Sequence, residues 1–381
     1  MENRQSTKPK VVTIFGTRPE AIKLFPVIDA LSKRSGLHSI SCVTAQHRQM
    51  LDQVLDIAGI VPDYDLDIMR ADQSLDQLTG RLLAAIGQTL DEIKPSRVIV
   101  QGDTATAMCG ALAAYYCKIP VSHVEAGLRS YNVYHPWPEE VNRKIIGTIA
   151  DQHFAPTKTA AEALQKENIA QEQISITGNT VIDALLAAVE KSRDSQFLDD
   201  GLKALFARFS GKKIIGVTSH RHENFGDGLT NIASALREIA QRDDVALIFP
   251  VHLNPNVRAI MNEALGGLDN VAMIEPLDYP NFVALLDACT FMLTDSGGVQ
   301  EEAPALGKPV LVMRDTTERP EGIEAGTAKL VGTDKDLIIR TATKLLDNKQ
   351  FYDLMAKAHN PFGDGKASDR IADIIEQSLC H

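Results

Sequence analysis

Short apolar, β-branched runs alternate with longer stretches of helical periodicity along nearly the whole chain. This alternation restricts the fold most. A strand that reads as a continuous apolar run is buried on both faces, and its parallel neighbour is reached only through a crossover helix. Strands are predicted at Val11–Phe15, Ile40–Thr44, Val98–Gln101 and Val121–Val124, with helical stretches at Glu20–Lys33, Met50–Ala58, Leu75–Ile93 and Thr106–Cys117. A second series opens at Lys213–Thr218 and continues through Ala246–Pro250, Val271–Ile274, Phe291–Thr294 and Val310–Val312. Its helices are predicted near Leu229–Ala240, Phe282–Asp287 and Val299–Leu306. Between the series, residues 179–211 form a helical stretch that reads as a connection, and a polar–apolar helix over Lys366–Leu379 closes the chain. The expectation is an α/β protein of two doubly wound domains, 1–178 and 212–365.

The length of 381 residues suits two or three domains. With 44% hydrophobic and 23% charged residues, composition excludes a disordered or fibrous chain. No apolar run approaches the ~18 residues of a membrane span, and the first residues, MENRQSTKPK, lack the apolar core of a secretion signal, so a cytoplasmic protein is expected. Acidic residues outnumber basic ones, 50 to 39, which argues against nucleic acid as a partner but leaves room for a local basic pocket. Cys42, Cys109, Cys117, Cys289 and Cys380 form no CxxC pair and read mostly as reduced core thiols.

Open parallel sheets bind ligands outside the carboxyl ends of their strands, so the informative residues should follow the predicted strands directly. Gly16-Thr17-Arg18-Pro19-Glu20 follows the first. Gly16 permits a tight turn, Pro19 suits a first helical turn, and Arg18 adds a guanidinium fork to an anion-attracting helix N-terminus, with Lys23 one turn further on. The same residues also make an ordinary strand–helix loop. The motif is neither GxGxxG nor a Walker A loop, which argues against a dinucleotide or ATP site. In the second series, Asp295-Ser296-Gly297-Gly298 follows Phe291–Thr294. Its small residues let a phosphate approach backbone N–H groups, and Glu302 on the following helix is placed to accept ribose hydroxyls. Ser-Gly-Gly is also a plain turn-former, but its place at a strand's carboxyl end favours the phosphate cradle.

The chemically most expensive group is a set of carboxylates. Asp103 follows Val98–Gln101, Glu125 follows Val121–Val124, and Glu139 lies in His135-Pro136-Trp137-Pro138-Glu139-Glu140. These read as contributions from three neighbouring loops, and carboxylates gathered in one pocket separate into acid and base. Helix capping is the ordinary role of each taken alone. Glu139 and Arg143 lie four apart on a predicted helix, a spacing equally suited to a surface ion pair. After Lys213–Thr218, His220 with Arg221 is a candidate proton donor or phosphate partner, although a lone histidine is more often structural. No His, Cys and Asp set has zinc-ligand spacing, so no metal is expected.

Taken together, these motifs resemble the non-hydrolysing UDP-N-acetylglucosamine 2-epimerases. The resemblance runs in order from FGTRPEAIK through TAQHR, GDT, HVEAGLR, PWPEE, NR, ITGNTVIDALL, PVHLNPNVR, LTDSGGVQEEAP and GKPVLVMRDTTERPE to NPFGDG. It implies a glycosyltransferase-B-like pair of Rossmann-like domains, an active site in the inter-domain cleft, and a C-terminal helix, 366–381, that completes the first domain. It implies a homodimer, a UDP-sugar substrate and no cofactor. It places Asp103, Glu125 and Glu139 as acid/base carboxylates and His220 beside the diphosphate. Arg18, Lys23, Arg143, Ser296, Gly297, Gly298 and Arg319 match positions that hold UDP or the sugar, Glu302 the ribose contact, and Phe282, which reads as core on pattern alone, the uracil contact. A regulatory UDP-GlcNAc site is implied near Gln46, Gln49, His222 and His252. Where the family reads HRRE or HRKE this chain has His220-Arg221-His222-Glu223, and where it reads QHRE this chain ends in Gln49. Exchanging a fixed guanidinium for a mostly neutral imidazole predicts weaker regulation.

The implied reaction is elimination of UDP across C1–C2 to give 2-acetamidoglucal, then re-addition to give UDP-N-acetylmannosamine, which would supply polysaccharide synthesis. A glycosyltransferase, a hydrolysing epimerase and a non-catalytic sugar-nucleotide sensor remain alternatives on the same scaffold. Need for an acceptor, release of free sugar, or loss of a carboxylate would mark each of these.

Overall fold

The computed structural model describes residues 8–45, 54–55, 59–68, 70, 73–192, 198–219, 227–251 and 254–380. The chain forms two compact units, residues 1–184 with 363–381, and residues 185–362.

In the first unit the elements run β1 (Lys10–Phe15), α1 (Arg18–Ser32), β2 (His38–Val43), β3 (Tyr64–Asp65), α2 (Leu75–Ile93), β4 (Arg97–Gln101), α3 (Ala105–Tyr116), β5 (Val121–Val124), α4 (Glu139–Ile149), β6 (Gln152–Ala155), α5 (Lys158–Lys166), β7 (Ile174–Ile176) and α6 (Thr180–Ser192). The strands form one sheet in the order β3-β2-β1-β4-β5-β6-β7. Every pairing is parallel, with Val12 opposite both Ile40 and Val98. The unit boundary falls inside α6, within the stretch that reads from sequence as a connector.

The second unit comprises α7 (Asp200–Arg208), β8 (Lys213–Thr218), α8 (Asp227–Ile239), β9 (Val245–Pro250), α9 (Pro255–Leu265), β10 (Val271–Ile274), α10 (Tyr279–Ala288), β11 (Phe291–Thr294), α11 (Gly297–Ala305), β12 (Val310–Val312), α12 (Pro320–Glu324), β13 (Ala328–Leu330), α13 (Lys335–Asp347) and α14 (Lys349–Ala356). Its sheet is ordered β10-β9-β8-β11-β12-β13. The last helix, α15 (Ala367–Cys380), returns to the first unit and packs on α1. There Arg34 reaches Asp373 at 2.7 Å, and Asp183 on α6 accepts the N–H groups of Ala367 and Ser368.

The apolar runs explain the layers. Val12, Ile14, Val98 and Val100 are fully buried, as are Ile215, Val217, Phe291, Leu293 and Leu311, with helices supplying the facing side chains. Short strands β3, β6, β7 and β13 were not expected. β3 has two residues, and β6 carries Gln152 and His153 where an apolar run is the signal. Cys42, Cys109 and Cys289 are buried thiols whose burial pushes their pKa values to about 12, and Cys117 and Cys380 are also free. Among the described residues no helix is long and apolar enough to cross a membrane.

In both sheets the strand order reverses direction between the first and fourth strands in sequence. The diverging helices leave a crevice at their carboxyl ends, β1/β4 in one unit and β8/β11 in the other.

One close approach near the first crevice is testable. Gly127 has φ +94, and a Cβ there would lie 2.8 Å from the backbone carbonyl carbon of Ala160 and strike its oxygen. Gly127→Ala is expected to cost roughly 2–4 kcal/mol. Gly80→Ala, on the exposed face of α2 with open space around it, is expected to add about 0.5–1 kcal/mol. Urea unfolding monitored by circular dichroism measures both.

Candidate active site

At the β1/β4 crevice the Gly16–Glu20 turn is fixed by a reciprocal cap. Thr17 accepts from the Glu20 backbone, while the Glu20 carboxylate accepts the N–H groups of Gly16 at 3.1 Å and Thr17 at 2.8 Å. The S/T-x-x-E pattern announces such a box, although the sequence reading did not use it. Glu20 is buried, and Thr104, which caps α3, donates to it at 2.6 Å. Burial pushes the Glu20 carboxyl up, against the pull of Thr104, Thr17 and the two backbone donors. The turn that carries Arg18 is thereby tied to the loop that carries Asp103. Gly16 is required by space: a Cβ would lie 2.6 Å from Thr106 Oγ1 and strike Thr44.

Glu125 stands at the end of β5 in left-handed backbone, φ +61, with its side chain 5% exposed. Three elements hold its carboxylate. Lys23 on α1 donates at 2.5 and 2.7 Å, Gln101 at the end of β4 donates to Oε2, and Asn179 just before α6 donates to Oε1 at 3.2 Å. On the next strand, the Asp103 carboxylate is gripped by Nε (3.0 Å) and Nη2 of Arg143, and Asn142 donates to its backbone carbonyl at 2.8 Å. His123 lies beneath this edge, its Nε2 2.7 Å from the Gly102 carbonyl, and burial lowers its ring to about 3. The ring is therefore neutral and donates through Nε2.

Two details of the sequence reading are corrected. Glu125 opens the single connection from β5 to α4 and Glu139 stands at its far end as the first residue of α4, so the three carboxylates come from two strand–helix junctions rather than three. The ion pair on α4 joins Arg143 to Glu140 at 3.1 Å, three residues apart, rather than to Glu139. Glu139 is half-buried in the first turn of α4, and its Oε2 has no hydrogen-bond partner among the described residues. Arg129, from the HVEAGLR motif, pairs with Glu167 at 2.9 and 2.7 Å.

In the second unit a cavity of about 260 Å³ opens at the β8/β11 crevice, lined by Thr218, Ser219, Phe282, Ser296, Val299 and Glu302 among others. Ser296 is the N-cap of α11, so Gly297 and Gly298 present first-turn N–H groups beside open space. Glu302, one turn along α11, receives the Tyr279 hydroxyl at 3.3 Å. Phe282 on α10 is partly buried, packing against the core of the unit while also lining this cavity. Arg319 is bound to Glu301, and Gln300 joins the Ser296 carbonyl to Thr317. Sequence reasoning missed Gln101, which it read only as a strand end, and Asn179, Glu140 and Glu301, polar residues that pattern alone assigns to turns or helix surfaces. His220, His222, Gln46, Gln49 and His252 lie outside the described residues. Among the described residues no group of three His, Cys, Asp or Glu side chains is disposed to hold a metal.

Two doubly wound parallel units, each with polar groups at the carboxyl edge of its crevice, define a protein of the glycosyltransferase-B fold. The family described as UDP-N-acetylglucosamine 2-epimerase matches residues 29–376. A UDP-N-acetylglucosamine 2-epimerase of Escherichia coli (strain K12) is 52% identical over 371 residues, 97% of this chain and 99% of that protein. A structure of a protein described as a putative UDP-N-acetylglucosamine 2-epimerase from Listeria monocytogenes superposes with a TM-score of 0.92 at 46% identity, covering 98% of this chain and 97% of the other. The enzyme from Neisseria meningitidis, solved bound to UDP-GlcNAc, gives 0.83 at 46% identity, covering 97% and 100%. The chain belongs to the UDP-N-acetylglucosamine 2-epimerase family, on its non-hydrolysing side, and is an isomerase.

The ion pair at Glu125 yields a double-mutant test. Lys23→Met leaves a buried carboxylate without its cation and is expected to cost about 3–5 kcal/mol, whereas Lys23→Met with Glu125→Gln should cost less than half of that. Denaturant unfolding of the three proteins at pH 7.5 measures the difference.

His123 sets a pH dependence. Its folded pKa lies below that of the unfolded chain, so the unfolded state binds the extra proton. The associated stability is complete above pH 6.5 and falls by about 1.4 kcal/mol per pH unit on acidification toward 3. His123→Gln should flatten this part of the stability profile, as read by urea midpoints between pH 4 and 7.

Proposed function

We propose that this isomerase interconverts UDP-N-acetylglucosamine and UDP-N-acetylmannosamine by anti-elimination and re-addition of UDP. The observation that carries the reading is the pair of carboxylates on adjacent strands, Asp103 and Glu125, each held by a cation from a neighbouring helix. The C2 proton of the sugar has no adjacent carbonyl to acidify it. A carboxylate takes that proton, the C2–H electron pair becomes the C1=C2 bond, and the C1–O bond breaks with its pair leaving on the UDP β-phosphate. Reversal on the opposite face returns a proton to C2 and inverts it. Charge on the departing diphosphate appears only as the bond breaks, so donors aimed at it stabilise the transition state more than the substrate.

The Ser296–Gly298 cradle with the α11 N-terminus supports the diphosphate position, Phe282 the uracil, and Glu302 the ribose. Arg18 and Arg319 belong to the same reading as anion contacts. Asp103, Glu125 and Glu139 are the acid and base groups. His220 stands in this scheme beside the leaving diphosphate, on the resemblance in sequence. The Neisseria meningitidis relative's bound UDP-GlcNAc supports the choice of substrate. The reading includes a cytoplasmic homodimer without cofactor, weaker activation by UDP-GlcNAc, and a product used for cell-surface polysaccharide.

The test uses UDP-GlcNAc as sole substrate in D₂O, with oxygen-18 in the C1–O–P bridge. Deuterium is expected at C2 of the product, the bridge label should scramble into non-bridging positions, and free UDP with 2-acetamidoglucal should accumulate slowly. Asp103→Asn and Glu125→Gln should each lower kcat by at least ~10² in folded protein. Epimerised product with all the label still in the bridge overturns elimination, and free N-acetylmannosamine identifies hydrolysis instead.

A further inference from the structure

The most completely enclosed acidic side chain near Asp103 is Glu140, the second carboxylate of the PWPEE motif, to which neither the sequence reading nor the proposed chemistry gives a role. Its side chain is 0% exposed, and its two oxygens are shared among three donors from two elements. Oε1 accepts the backbone N–H of Tyr131 at 3.1 Å. Oε2 accepts the N–H of Ser130 at 3.0 Å and Nη1 of Arg143 at 3.1 Å. The remaining Nε and Nη2 of Arg143 are directed at Oδ2 of Asp103. A guanidinium is a planar fork, so fixing Nη1 on one carboxylate fixes the plane in which the other edge meets the second. Burial alone would push the Glu140 carboxyl up, but the Ser130 donors, Arg143 and the Tyr131 N–H together hold it below the usual range, so it is an anion at neutral pH. The loop it anchors, residues 130–138, carries the exposed Tyr131, Tyr134 and Trp137 and leads into Glu139.

We propose that Glu140 is the positioning residue of the acid/base site: through Arg143 it orients the Asp103 carboxylate, and through the Ser130 and Tyr131 N–H groups it fixes the loop that delivers Glu139. Glu140 itself touches no reacting atom. Asn142, two residues along the same helix, holds the Asp103 backbone, so α4 grips Asp103 at two points and Glu140 sets the angle of one of them. A purely structural ion pair would support the fold without separating turnover from binding. A positioning residue acts on the chemical step.

The inference rests on the elimination reading, and the experiment separates the two failures. Wild-type enzyme is first assayed for bridge-label scrambling from UDP-GlcNAc; absence of turnover there counts against the function and says nothing of Glu140. In active enzyme, Glu140→Gln is expected to lower kcat about 10- to 100-fold while KM for UDP-GlcNAc and Kd for UDP change less than about threefold. Glu140→Gln combined with Arg143→Lys should be within about threefold of the worse single variant, because both break one chain of contacts. Glu140→Asp keeps the charge but withdraws the carboxylate by one methylene, and an intermediate loss of about 3- to 10-fold is expected, which serves as the test if the Gln variant does not fold. Wild-type kcat in either folded variant, or losses that multiply in the double variant, overturns the proposal.

Discussion

The first unit is organised around a carboxylate that the backbone places in an unfavourable position. Glu125 is nearly sealed from water and sits in left-handed backbone, a conformation that costs a side-chain-bearing residue about 1–3 kcal/mol. Isolated burial of its charge would cost several kcal/mol more. Both costs are offset by donors from three separate stretches, α1, β4 and the segment before α6. The consequence is mutual: the carboxylate is held because three elements converge on it, and those elements are held in register by converging. Moving any one of them would leave a charge or an amide unsatisfied in the interior.

A second tie works in parallel. Glu20 joins the first turn of α1 to Thr104 at the start of α3, so the two loops on either side of the β1/β4 crevice cannot shift independently. With Lys23 on α1 and Asn142 and Arg143 on α4, the loops that carry Glu125 and Asp103 are each bound to a helix other than the one they lead into. Strand–helix loops are ordinarily the mobile part of such a fold. Here the polar side chains that follow the strands hold them to rigid elements, which is the preorganisation that proton transfer between fixed groups demands.

Much of this was legible in the sequence, for a definite reason. Buried parallel strands leave no choice but apolar runs, and Val98–Gln101, Val121–Val124 and Phe291–Thr294 therefore announced both themselves as strands and the residues that follow them. The failures share a cause as well. β3 and β7 are too short to show a run, and β6 pairs His153 with His123 in a position where an apolar residue is the usual sign. Glu139 and Glu140 are adjacent in sequence and identical in type, and only the pitch of α4, with the path of the loop before it, decides which one turns inward to Arg143. Spacing alone left the four-residue pair open, and the structure uses the three-residue one. Gln101 and Asn179 escaped because each is defined by what it meets across the fold, at sequence separations of 24 and 54 residues from Glu125. Phe282 reads as core because it is an aromatic on an apolar helix face, and it does pack against the core while one side lines the cavity.

The two crevices differ in the kind of polarity they offer, and the difference follows from what each sequence places after its strands. The first unit carries titratable groups in opposed pairs, Lys23 with Glu125 and Arg143 with Asp103 and Glu140. Among its described residues, the second crevice instead offers hydroxyls, two glycines at a helix N-terminus and a guanidinium already bound to Glu301. Backbone N–H groups and a helix dipole do not titrate, and they attract an anion to the same degree across the working pH range. A sheet edge of that composition suits a group that has only to be held, and one like the first suits a group that has to be changed. In the function proposed here the first edge changes the substrate and the second holds it, and the residues that differ are those after Gln101 and Val124 on one side and after Thr294 on the other.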